Sequence, residues 1–130
     1  MSTTTNTEFI FSDELNQSFL QSLYEGDLSY ANDVFNNFLT ESEKEFAELK
    51  EAHQANDIKK ARHKLHKMKP TFAFVGLTAL TEEVEEVIKI CDTSENIIET
   101  EPQFSLLLNK IELSFNLIEK ESARMKNHIS

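Results

Sequence analysis

Glycine and proline are scarce in this chain, with two of each in 130 residues. Sheet-rich folds need many tight turns, and those turns use Gly and Pro for their backbone angles. The scarcity therefore argues against an all-β fold and favours long helices. The length fits one domain, and a domain of this size buries a core without disulfides or metals.

Apolar residues recur at steps of three and four in five segments, and no segment alternates like a strand. The first predicted helix follows Ser12 as its N-cap and stops at Gly26-Asp27; its apolar residues are Leu15, Phe19, Leu20 and Leu23. The second predicted helix runs from about Leu28 to Ala55, and Asn56-Asp57 breaks it and caps the next one.

The third segment has the narrowest apolar seam, formed by Ile58, Ala61, Leu65, Met68, Phe72 and Val75. Gly76 suits its C-terminus. A fourth helix is predicted from near Thr78 to Cys91, followed by a polar loop. The last helix is predicted to open with a capping box from Thr100 to Gln103 that holds Pro102 in its first turn.

Short connections make consecutive helices antiparallel neighbours. We therefore predict an all-α fold: an up-down antiparallel four-helix bundle with an additional short N-terminal helix. The bundle is expected to span residues 11–128 as one domain. Residues 1–10, which are rich in Thr and Asn, are expected to form a flexible tail.

The formal net charge of -10 disfavours binding to nucleic acid or to an anionic membrane surface. No apolar run is long enough to span a bilayer, and the N-terminus lacks the basic and apolar regions of a signal peptide. The single cysteine, Cys91, has no intrachain partner, which favours a reducing, cytoplasmic location.

The third segment is strongly basic within this acidic chain. It holds 6 of the 13 basic residues, and no Asp or Glu lies among them: Lys59, Lys60, Arg62, Lys64, Lys67 and Lys69. Two histidines, His63 and His66, lie in the same span. Such a run is also what an ordinary solvated helix face looks like.

Helical geometry predicts that His66 faces solvent, because it points roughly 130° away from the apolar seam at about 100° per residue. Its neighbours one turn away are Arg62, His63, Lys69 and Pro70, and Ala73 lies a further turn on. A neutral imidazole is a nucleophile near neutral pH, and nearby cations stabilise a phosphoryl group. A merely solvated surface histidine fits the same pattern.

The stretch from His66 to Leu77 resembles the signature of histidine-containing phosphotransfer (HPt) domains of multistep phosphorelays. That signature is His, any residue, an aliphatic residue, Lys, usually Gly, and a Gly ten residues after the His. Here Met68 is the aliphatic residue, Lys69 is the lysine and Gly76 is the distal glycine. The resemblance covers roughly residues 11 to 126.

The register of this motif selects between the two histidines. Counted from His66, a lysine lies at +3 and a glycine at +10; counted from His63, the same positions hold His66 and Ala73. The resemblance therefore implies His66 as phosphoacceptor. Pro70 departs from the motif, since a small residue usually follows the lysine, and we expect it to kink the helix locally.

The resemblance implies that response-regulator receiver domains, and through them a hybrid sensor histidine kinase, are the partners of a monomeric phosphocarrier. Lys69 and Arg62 are expected to support the phosphoryl group. A receiver is expected to dock on the surface that includes His63, Lys67, Pro70, Ala73 and Gly76, and to supply the Mg²⁺, so that this chain needs no metal or other cofactor. Phe74 is predicted to be core rather than a docking anchor.

Three other classes of protein make different demands on the sequence. A histidine kinase needs a Gly-rich phosphate loop, which Gly26 and Gly76 alone cannot form. A di-iron bundle needs Glu-x-x-His pairs, which this sequence lacks, and the cations around His63 and His66 oppose a shared metal. A non-catalytic adaptor or inhibitor bundle that binds a signalling partner without relaying phosphate stays open as the alternative.

Overall fold

The computed structural model describes residues 8–130. Within them lie five α-helices and one short 3-10 helix, and no strand: α1 Gln17–Tyr24, α2 Leu28–Gln54, α3 Ile58–Phe74, α4 Thr78–Asp92, the 3-10 helix Ile97–Thr100 and α5 Gln103–Ile129. α3 packs against α2 and α4, and α5 packs against the same two helices. This closed arrangement, with α1 added beside α2, is the predicted helical bundle.

The core consists of the apolar faces that the three- and four-residue spacing predicts. All the seam residues of α3 are buried except Ile58, which is partly buried against the core. Phe35 from α2, Phe72 from α3 and Phe104 from α5 are fully buried. Because the seam fixes the rotation of α3 about its axis, it also decides which α3 side chains reach solvent.

The α1–α2 and α2–α3 turns are short, and a side chain caps the helix that follows each of them. Asp27 accepts a hydrogen bond from the Tyr30 amide at 3.1 Å at the start of α2, and Asp57 accepts one from the Lys60 amide at 3.1 Å at the start of α3. The break at Asn56-Asp57 is thus confirmed. With only a few residues per turn, neighbouring helices run antiparallel.

The start of α1 was predicted wrongly. Its N-cap is Asn16, whose side chain accepts from the Phe19 amide at 3.0 Å. Ser12 lies four residues earlier, where its amide donates to Glu121 Oε2 at 2.7 Å. Phe19 and Leu23, two of the predicted apolar residues of this helix, are exposed.

The capping box was predicted at the wrong helix. It lies at the 3-10 helix, where the Asn96 and Glu99 side chains each accept from the other residue's backbone amide. The Thr100 hydroxyl is buried and donates to the Ile97 carbonyl at 2.5 Å, so it cannot cap α5. Pro102 instead precedes α5, with no side-chain cap.

The predicted tail partly overlaps packed structure. Residues 1–7 lie outside the described part of the chain, but Phe9 packs against the core and meets the Phe11 ring edge-on at 5.2 Å. The Arg124 guanidinium donates to the Ile10 carbonyl at 3.0 Å. Packing therefore begins by Phe9, within the span that was predicted as tail and before the predicted domain start at residue 11.

Gly76 joins α3 to α4 and lies directly under α1. Its φ of +81° lies in the left-handed region, and a Cβ added there would come within 2.6 Å of Leu20 Cδ1. Its carbonyl accepts from the Asn16 amide at 2.9 Å. Both conformation and space therefore require glycine at this position.

Candidate functional site

His66 lies near the middle of α3 and is exposed. The flanking residues Leu65 and Met68 are buried in the seam, so the helix cannot rotate to bury the imidazole without exposing them. The predicted solvent-facing orientation is confirmed. His63, one turn earlier, is exposed as well.

The α4 side of α3 holds the two cations that were predicted to support a phosphoryl group. The Lys69 ammonium forms an ion pair with the Glu85 carboxylate, and the Arg62 guanidinium forms one with Asp92. The hydrogen bond from Lys69 lowers the pKa of Glu85, and weaker electrostatic attraction to Lys89 and His66 adds to that lowering. The bond to Asp92 raises the pKa of Arg62.

The α2 side of α3 has its own ion-pair cluster. Lys64 Nζ donates to Glu45 at 2.8 Å and also contacts Glu48. Lys67 Nζ lies 2.9 Å from the other oxygen of Glu45. Hydrogen bonds from Lys64 and then Lys67 lower the pKa of Glu45 to about 2. Both lysines are paired with α2, and Lys67 also stays exposed to solvent.

The basic helix is therefore less cationic at its surface than the sequence suggests. Four of its six cations are paired with carboxylates of α2 or α4. Within residues 8–130, Lys59 and Lys60 form no ion pair, and they lie toward the start of α3, away from Lys69. The charge run serves interhelical pairing as well as the surface around His66.

Pro70 is exposed and lies inside α3, which continues through it to Phe74 as one helix. Because proline has no amide hydrogen, it cannot donate to the carbonyl of His66 four residues earlier. The departure from the motif thus removes one backbone hydrogen bond at the candidate acceptor without ending the helix.

Phe74 was predicted to be core, and this is wrong: 47% of the residue is exposed. Its carbonyl accepts the Tyr24 hydroxyl at 2.6 Å, and burial raises the pKa of that hydroxyl to about 12. The Tyr24 ring in turn meets the exposed Tyr30 edge-on at 5.6 Å. We call the surface of Tyr30 and Phe74, joined by Tyr24, the aromatic patch.

The remaining predicted docking residues fall at different depths. Lys67 is exposed and Ala73 is partly exposed, whereas Gly76 is buried beneath α1. The position of Gly76 gives it a structural role at the α3–α4 turn, and direct contact with a partner through it stays a prediction. Among residues 8–130, no group of three or more His, Cys, Asp or Glu side chains is placed to hold a metal ion.

Sequence reasoning missed Glu85 and Asp92, the α4 partners of the candidate cations. A signal for them was present. Lys69 and Glu85 lie eight residues before and after Leu77, and Arg62 and Asp92 lie fifteen before and after it. In an antiparallel hairpin of helices, residues equidistant from the turn lie at the same height, which brings these opposite charges together.

A family model described as Hpt domain matches residues 33–117, which is most of the chain and includes His66, Lys69 and Glu85. This chain belongs to the Hpt domain family. Hpt domains are phosphocarriers rather than kinases, so the role of this chain is histidine phosphotransfer in phosphorelays.

The Hpt fold is also found by structural comparison. The chain is similar to the crystal structure of histidine-containing phosphotransfer protein B (HptB) from Pseudomonas aeruginosa PAO1, with a TM-score of 0.70 and 22% sequence identity. The match covers 87% of this Hpt chain and 97% of that one. No curated protein matches the sequence of this chain. No helix within residues 8–130 is long and apolar enough to cross a membrane.

Proposed function

We propose that this Hpt domain accepts a phosphoryl group on His66 from the aspartyl phosphate of one receiver domain and passes it to the aspartate of another. The observation that carries the proposal is an exposed imidazole on α3, one turn before Lys69, in a chain of the Hpt family. A hybrid sensor histidine kinase supplies the phosphoryl group at the start of such a relay.

The chemical step needs only the imidazole from this chain. A ring nitrogen of His66, in our proposal Nε2, attacks phosphorus in line while the bond to the aspartate oxygen breaks, and the reverse step loads the next receiver. The receiver provides the Mg²⁺ and the acidic pocket, and this chain provides no metal or other cofactor. Lys69 and Arg62 stabilise the charge on the phosphoryl oxygens.

The docking surface in this proposal combines charge and apolar contact. His63 and Lys67 surround His66 with groups that complement an acidic pocket, and Pro70 and Ala73 continue the surface along α3. The aromatic patch at the end of α3 supplies the exposed apolar area that anchors a partner. We further propose that the chain works in the cytoplasm as a monomer.

The test is phosphotransfer from phosphorylated receiver domains of the source organism, measured as acid-labile, base-stable phosphate on this chain. We expect uptake by the wild-type protein and by His63→Gln, the matched control, and none by His66→Gln. Equal uptake by His66→Gln and wild type would show that another residue is the acceptor.

The same experiment separates relay from adaptor function. Absence of uptake by the wild type from every receiver of its own cell, together with tight binding to one of them, would identify a non-catalytic adaptor or inhibitor. Sedimentation at working concentrations tests the monomer, and a stable dimer would contradict it.

A further inference from the structure

The Lys69–Glu85 ion pair joins the candidate phosphoryl-supporting cation to a carboxylate that no part of the relay chemistry requires. Resting on the proposed function, we infer that Glu85 is a positioning residue that competes with the phosphoryl group of His66 for Lys69. It thereby keeps the phosphohistidine short-lived and a ready donor.

The geometry creates this competition. Lys69 lies one turn after His66 on α3; Glu85 contacts Lys69 from α4 and is close enough to His66 for a weak electrostatic attraction. The side chains of the pair are 33% and 42% exposed for Lys69 and Glu85, so the ammonium has room to leave the carboxylate and turn toward a group on the imidazole. The lowered pKa of Glu85 records the attraction of Lys69 and, more weakly, of Lys89 and His66.

A phosphoryl group changes the charge balance of this triad. Before phosphorylation, one ammonium faces one carboxylate. After it, a dianionic group and the Glu85 carboxylate compete for the same ammonium, and Glu85 also repels the new charge. Each contact that Lys69 keeps with Glu85 is withheld from the phosphoryl oxygens, so Glu85 raises the free energy of the phosphorylated state.

Lys69 is the cation that contacts Glu85 directly. Lys89, one turn after Glu85 on α4, adds only a weaker attraction to it. Arg62, the other candidate cation, pairs with a different carboxylate, Asp92. Lys69 is therefore the cation for which the phosphoryl group and Glu85 compete most directly.

The test uses the full chain phosphorylated chemically with phosphoramidate. In that reaction the bond from phosphorus to the ammonia nitrogen breaks, a bond to the imidazole forms, and ammonia leaves. The lifetime of the phosphohistidine is then followed by phosphate-affinity electrophoresis. We expect Glu85→Gln to lengthen it three- to tenfold. Glu82→Gln, which removes a carboxylate one turn earlier on α4 that forms no ion pair within residues 8–130, should change it less than twofold.

A double-variant cycle shows whether Glu85 acts through the lysine. In a Lys69→Ala background, Glu85→Gln should alter the lifetime by twofold or less. A full effect in that background would mean direct repulsion alone and would overturn the competition. An unchanged lifetime in Glu85→Gln, or an equal gain in Glu82→Gln, would overturn it as well.

A second measurement follows Glu85 itself. Its carboxyl carbon, observed by ¹³C NMR at pH 8, where phosphohistidine is stable, should change chemical shift when the chain is phosphorylated, because Lys69 has left it. The change should be smaller in Lys69→Ala, and an unchanged chemical shift in the wild type would contradict the exchange. Neither measurement involves a receiver domain, so a failed relay leaves them interpretable, and His66→Gln verifies that phosphoramidate has modified His66.

Discussion

The two sides of α3 carry similar ion pairs in different surroundings. On the α2 side, the Lys64 and Glu45 side chains are only 13% and 17% exposed. On the α4 side, the Arg62 and Asp92 side chains are 41% and 48% exposed. Exposed pairs contribute little to stability, whereas poorly solvated charges depend on their partners.

This difference in solvation suggests different roles for the two sides of α3: the less solvated pairs stabilise the bundle, and the more exposed pairs take part in function. On the α2 side, the poorly solvated Lys64 joins α3 to α2 and depends on its carboxylate partners, whereas Lys67 is 60% exposed. The α4 side has pairs that water already screens, so they exchange partners at little cost. The candidate acceptor His66 faces outward between these two sides, next to the exchangeable cations.

The largest expected effect that separates the two sides is on phosphotransfer. Lys69→Ala should slow transfer about tenfold, corresponding to about 1.4 kcal/mol, and should shorten the phosphohistidine lifetime, since the ammonium stabilises the phosphoryl oxygens. Rates of loading from a phosphorylated receiver check this.

The matched control for that variant is Lys59→Ala, which removes a lysine near the start of the same helix that forms no ion pair within residues 8–130. It should change the rate less than twofold, because Lys59 lies away from His66 and Lys69. Equal slowing in both variants would mean that the overall charge of the helix, rather than the α4 side, governs transfer.

The next largest effect is on the free energy of unfolding, which should depend more on the α2 side of α3 than on the α4 side. Lys64→Ala should lower the free energy of unfolding by about 1.5 kcal/mol, because it leaves the poorly solvated Glu45 without its main partner. Urea denaturation measures this. Lys60→Ala removes a lysine of the same helix that forms no ion pair within residues 8–130 and should be nearly neutral; a similar loss there would attribute the effect to helix propensity.

The fold was largely predictable because it follows from local spacing. The apolar seam of α3 and the caps at Asp27 and Asp57 are determined by residues that lie close together in the chain. The errors arose where distant segments meet. Ser12 lies before α1, which begins after Asn16, and its amide donates to Glu121, 109 positions away. Phe74 is exposed where its carbonyl accepts from the hydroxyl of Tyr24 in α1.

The candidate site was predictable in part for the same reason. The outward position of His66 follows from one helix alone. The pairing of its neighbouring cations depends on how α3 is aligned with α2 and α4. That alignment is regular: Glu48 and Lys64 lie eight residues on either side of Asn56, and Glu45 and Lys67 lie eleven. Applying turn-centred spacing to both hairpins would have found these pairs.

A smaller effect is the pH dependence of the stability that Glu45 contributes on the α2 side. The pKa of Glu45 in the folded protein is lowered from 4.5 to about 2. A lowered folded-state pKa contributes stability above the unfolded value, and this is lost as pH falls from about 4.5 toward 2. Glu45→Gln should therefore cost about 1 kcal/mol at pH 6 after allowance for solvent screening.

That difference between Glu45→Gln and wild type should shrink as the pH falls through this window. Denaturation curves at pH 6, 4 and 3 measure it. Glu43→Gln, an exposed position on α2 that forms no ion pair within residues 8–130, is the control and should track the wild type. A constant difference at all three pH values would show that the side chain matters for packing rather than charge.

The smallest effect is expected at Arg62, the more distant cation of the α4 side. Arg62→Ala should leave the melting temperature unchanged, because its pair with Asp92 is exposed to water and salt. It should slow phosphotransfer less than threefold, since the guanidinium must leave Asp92 and reach across a full turn toward His66. Slowing as large as that of Lys69→Ala would instead make the two cations equal partners of the phosphoryl group.

The variant Asp92→Asn tests whether the ion pair restrains Arg62. If it does, Asp92→Asn should speed phosphotransfer slightly, because Arg62 is released, and should have no effect when Arg62 is replaced by Ala.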